Sequence, residues 1–76
     1  MKYSPNDFDD RLKEEIENVE KVYAIYKQDE DDKIKYYYLK KAVYDLSLAV
    51  KTERVSGIIS PALADEMNEY FWSLLL

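Results

Sequence analysis

Cysteine and histidine are both absent from the 76 residues. Without cysteine there is no disulfide framework, no thiolate nucleophile and no zinc–thiolate site. Without histidine the commonest metal ligand and the commonest general base are gone, and so are the Glu-x-x-His pairs that hold iron in ferritin-like bundles. One glycine and two prolines are too few turn residues for an all-β chain of many hairpins. The lone glycine also removes phosphate-cradling loops and dinucleotide fingerprints. No apolar run approaches the ~18–20 residues that a membrane-spanning helix needs. The opening Met1-Lys2-Tyr3-Ser4-Pro5, followed by Asp7, Asp9 and Asp10, has no signal-peptide core. A cytoplasmic protein is the expectation.

What is present is 47% hydrophobic and 36% charged, with a net charge of −5. Such a chain is too apolar to stay disordered, and its length suits one small domain near the size where a single core is marginal. The negative balance repels a phosphate backbone and argues against direct nucleic-acid binding.

The apolar residues recur at helical spacing in three stretches, so the expected fold is all-α: a long antiparallel α-hairpin with a third, shorter helix packed across it. In the first stretch, expected over about residues 5–27, Ser4-Pro5-Asn6-Asp7 reads as a capped start. Phe8, Leu12, Ile16, Val19, Val22, Tyr23 and Tyr26 then fall within an arc of about 120°. Asp10, Glu14 and Glu17 form an acidic face on the far side, with Glu17 and Lys21 at the favourable i,i+4 spacing. The acidic run Asp29 to Asp32 breaks the pattern and caps a second helix, expected over 33–54, whose stripe is Tyr36, Leu39, Ala42, Val43, Leu46, Ala49 and Val50. Gly57 is placed as its left-handed terminator. Ser60-Pro61 opens a third helix, expected over 61–75, with Leu63, Met67, Tyr70, Phe71 and Leu74 inward and Ile59 set for a hydrophobic staple.

Chemistry finds little support in these residues. The acidic run lacks the alternating acids, mid-loop glycine and closing Glu of an EF-hand. Glu14, Glu17, Glu20, Glu66 and Glu69 stand one helical turn apart in pairs, as in helical-bundle Mg²⁺ hydrolases, but the facing helix offers only Asp45 and Glu53. The five serines have no histidine to activate them, and no glycine-rich turn presents one. The expectation is therefore a protein that is not an enzyme, with no metal and no cofactor.

Contact surface is the positive signal. Ile34, Tyr37, Tyr44 and Leu48 cluster on the side of the second helix away from its main stripe, and Trp72 is expected opposite the inward face of the third, with Leu76 beside it. This is more apolar surface than three helices need, and Tyr and Trp are favoured at protein–protein hot spots. Charge is segregated as well. Residues 6–32 hold eleven acids and four bases, net −7, whereas residues 33–54 hold six bases and two acids, net +4. Lys33, Tyr37, Lys40, Tyr44 and Lys51 make a basic ridge interleaved with tyrosine.

Three functional classes follow. The first is a small acidic, non-catalytic regulatory protein that acts by binding a protein partner and self-associates, with Tyr37, Tyr44, Leu48, Trp72, Lys33 and Lys40 as contact residues. The second is an inhibitor of a nucleic-acid enzyme, of the phage anti-restriction or anti-CRISPR kind, in which Asp10, Glu14 and Glu17 mimic DNA phosphates. A carboxylate-based metal hydrolase ranks third.

Overall fold

In the computed structural model, which describes residues 1–76, Asp9 rather than Ser4 starts the first long helix. Pro5–Asp7 form a single 3-10 turn, and the Ser4 side chain caps nothing. Phe8 is then extended (φ −125°, ψ 167°), which breaks the helix expected from residue 5. An Asp9 carboxylate oxygen accepts from the Leu12 N–H at 3.1 Å, and α1 runs Asp10–Gln28. The break has a packing cause. Tyr3 turns its ring against Phe8, Tyr70 and Phe71 at centroid distances of 6.2, 5.5 and 5.7 Å, in the range where aromatic pairs attract beyond their buried area. The Lys2 N–H donates to the Tyr70 hydroxyl at 3.0 Å, and Lys2 Nζ lies 2.7 Å from a Glu66 oxygen. The N-terminus is thus a strap across the third helix.

After the loop 29–32, α2 spans Lys33–Val55. Asp32 caps it, one oxygen accepting from the Ile34 and Lys35 N–H groups at 2.8 and 3.3 Å. Its end is a Schellman closure. The Ile58 N–H donates to the Glu53 carbonyl at 2.9 Å and the Gly57 N–H to the Arg54 carbonyl at 3.1 Å, with Gly57 at φ +77°. Ser60 caps α3, Pro61–Ser73, by accepting from the Leu63 N–H at 3.1 Å. This helix stops short of the expected residue 75. Leu74 and Leu75 bond back only three residues, to Phe71 and Trp72, and so form a tightened last turn.

The three helices pair around α2, with α1 and α3 both packed on it and no strands. Leu12, Ile16 and Val19 of α1 meet Leu39, Ala42, Val43, Leu46, Ala49 and Val50 of α2, and Ala64, Met67 and Phe71 of α3, in one buried cluster. Each fully buried Leu, Ile, Val or Phe side chain contributes roughly 1.5–3 kcal/mol relative to exposure, so this cluster holds the fold. Ile59 packs against it half-buried, as does the outer part of the α1 stripe, Val22, Tyr23 and Tyr26. Tyr36, expected on the α2 stripe, is exposed. It sits one turn into α2, its ring beside Tyr26 and its hydroxyl donating to the Leu75 carbonyl at 3.4 Å.

Candidate interaction surface

Seven-residue spacing along α2 lines Lys33, Tyr37, Lys40, Tyr44 and Lys51 on one flank, with Leu48 one turn beyond Tyr44. The structure brings Trp72 to this flank. Trp72 does not lie opposite the inward face of α3, as expected. It stands about 100° from Phe71 around the helix, at the edge facing α2, and forms the wall between two shallow hollows. One, of about 280 Å³, is bounded by Tyr37, Lys40, Lys41, Tyr44 and Trp72. The other, of about 300 Å³, is bounded by Ser47, Leu48, Lys51 and Arg54 of α2 and by Ala64, Asn68 and Trp72 of α3. Tyr37, Tyr44, Leu48 and Trp72 are 60, 52, 46 and 37% exposed. Four side chains identified separately in the sequence therefore line two adjoining hollows, together a groove along the seam between α2 and α3. Ile34 and Leu76 are also exposed, but neither borders it.

The charge at this groove is of one sign. Lys41 is held by Asp45 at 3.2 Å, whereas Lys40, Lys51 and Arg54 are in no ion pair. No acid borders either hollow. Lys33 is exposed at the start of α2, away from the hollows. The local hydroxyls are satisfied within the helix, Ser47 donating to the Tyr44 carbonyl at 2.7 Å and Thr52 to that of Leu48 at 3.0 Å.

On α1, Asp10, Glu14 and Glu17 are exposed and in no ion pair. The expected Glu17–Lys21 pair does not form; lysines pair instead at Glu66, Glu30, Asp29, Asp32 and Asp45. Neighbouring Glu15 is half-buried. Burial pushes its carboxyl above the usual range, and the nearby Asp45 and Glu14 add to the effect while Lys41 opposes it. No three acidic side chains converge closely enough to hold a metal ion. No helix is long and apolar enough to cross a membrane.

Two features escaped the sequence reading. Tyr3 was given no role, yet it is the centre of the aromatic strap. Glu53, named in the sequence only as an acid on the helix facing the carboxylate pairs, is 2% exposed with Oε1 unpartnered. It lies beside the start of α1, in a cleft bordered by Asp9, Asp10 and Arg11 and by Thr52, Ser56 and Ile58. Burial, and then Asp9, pushes its carboxyl above the ordinary range, with Arg11 pulling the other way. Its register was the available signal. Glu53 follows Ala49 and Val50 at i+4 and i+3 and so continues the buried stripe. No protein-family model, no curated protein and no solved structure matches this chain.

Proposed function

We propose that this chain is a small non-catalytic interaction protein whose α2–α3 groove docks a protein partner. The carrying observation is the gathering of Tyr37, Tyr44, Leu48 and Trp72 into one exposed surface. None of the four belongs to the buried cluster, while Tyr and Trp are the residues that dominate docking energetics. The absence of cysteine is in keeping with work in the cytoplasm.

The test is affinity capture from the source cell with the wild-type chain and with Leu48→Asp and Trp72→Ala, both checked by circular dichroism to be folded. At least one protein retained by the wild type and lost from both variants is expected. Identical captured sets for all three would refute the reading. A docked second copy is the self-associating form of the same proposal, and sedimentation reads it directly.

The open row Asp10, Glu14 and Glu17 supports a second reading, an inhibitor occupying the phosphate cleft of a nucleic-acid enzyme. Lys13 and Lys21 share that helix and dilute its field, which places this reading second.

A further inference from the structure

We infer that the groove's partner is an acidic amphipathic helix of another protein, an inference that rests on the docking role proposed above. The geometry is that of helix-in-groove recognition, in which apolar anchors on one face of a ligand helix drop into pockets between two receptor helices. Here the two hollows are bounded on α2 by residues 37–44 and 47–54, so their centres are about ten residues, or about 15 Å, apart along that helix. Apolar side chains ten or eleven positions apart on a facing helix match that separation. Trp72, shared by both hollows, meets the turn between them.

Charge selects the rest of the ligand. Lys40 borders the first hollow, Lys51 and Arg54 border the second, and no carboxylate answers them. The chain as a whole carries −5, so this cationic, apolar rim contrasts with the rest of the molecule. A ligand with Asp or Glu flanking its anchors supplies the missing charge, and complementarity of this kind sets partner choice and association rate. A second copy docked face to face is disfavoured by the same groups. Two-fold pairing of an isologous patch would set the cationic set Lys40, Lys51 and Arg54 against the same set of the other copy. A nucleic acid would meet the cations, but it would also meet the fields of sixteen acids and would leave the apolar floor unfilled.

The test pans a displayed library of random, helix-prone 20-residue peptides against the intact protein. Enriched peptides are expected to carry excess Asp and Glu, with large apolar residues ten or eleven positions apart. Their affinity should fall about tenfold in the triple variant Lys40→Glu/Lys51→Glu/Arg54→Glu, as partly exposed charge pairs predict, and should be lost in Leu48→Asp. Neutral or basic peptides lost in Leu48→Asp but indifferent to the triple variant would overturn the acidic ligand and leave the docking role standing. Self-association abolished by Leu48→Asp in sedimentation, or a 20-bp DNA duplex displacing the peptides, would overturn it in favour of that occupant. No enriched peptide, or peptides indifferent to every variant, would overturn both the ligand and the docking role.

Discussion

Replacing Glu53 by Gln should stabilise the protein at neutral pH and leave it little changed in acid. Glu53 is 2% exposed and its Oε1 has no hydrogen-bond partner. Ionising it sets a charge where burial strips its hydration and Asp9 lies close, and Arg11 offsets only part of that. The folded chain therefore holds its proton to a higher pH than the unfolded chain, where the carboxyl titrates near its ordinary value of 4.5. Below that pH both states are protonated and Glu53 adds no pH dependence. As pH rises through 4.5 the unfolded chain releases its proton first, so unfolding becomes progressively more favourable until the raised folded value is passed. Gln keeps the shape, removes the titration and can donate to the Asp9 carboxylate. Sparing the site that buried charge is worth about 1–3 kcal/mol, the usual penalty for a buried polar group without a partner. In a domain of this size each kcal/mol moves the melting temperature by about 4–8 °C. Urea unfolding of both proteins from pH 4 to pH 8 should show curves that diverge upward in pH, with Glu53→Gln the more stable. A variant less stable at pH 7.5, or a difference that does not change with pH, would refute the assignment of Glu53 as a buried, proton-holding group.

Two further outcomes test the helix ends. Asp9→Ala should cost about 1 kcal/mol in urea unfolding, the usual loss on removing an N-cap acceptor, while Ser4→Ala should cost nothing measurable because that side chain caps no helix; equal effects would return the helix start to Ser4. Gly57→Ala should cost about 1–2 kcal/mol, the strain of a side chain in the left-handed region, since φ is +77° and no atom lies within 4 Å of the added Cβ to supply a steric contribution. A neutral result would show that the Schellman closure of α2 relaxes.

The parts of this fold legible in the sequence are those governed by one helix at a time. Leu12, Ile16 and Val19, or Leu39, Val43, Leu46 and Val50, announce a buried stripe through spacing alone, and Asp32, Gly57 and Ser60 announce termini through the backbone groups they satisfy. The start of α1 was misplaced because two valid caps stand five residues apart. The choice between Ser4 and Asp9 is made by Tyr3, whose ring packs against both Phe8, out of helical geometry, and Phe71 of α3. A contact of such sequence separation leaves no local pattern. Glu53 shows the opposite failure. Its register continues the buried stripe, but acids are rarely buried unless paired, so residue type hides what spacing shows.

The groove follows from the furrow that two packed helices leave along their outer side, together with an unforced choice of residues. Ala64, Asn68 and Trp72 of α3 flank α2 residues 37–54, yet Tyr37, Tyr44 and Leu48 stay exposed on the outer side of that seam. On a surface left open in this way, Lys, Glu or Gln would serve the helix at least as well as Tyr, whose intrinsic helix propensity is lower. Tyr37 and Tyr44, more than half exposed, add little to α2 or to the buried cluster, and the same holds for most of Leu48. The furrow between two packed helices explains why the flank is open, but it does not explain why the open flank is aromatic and cationic. Folding therefore leaves the composition of this flank undetermined, and docking of an oppositely charged apolar partner accounts for both properties at once.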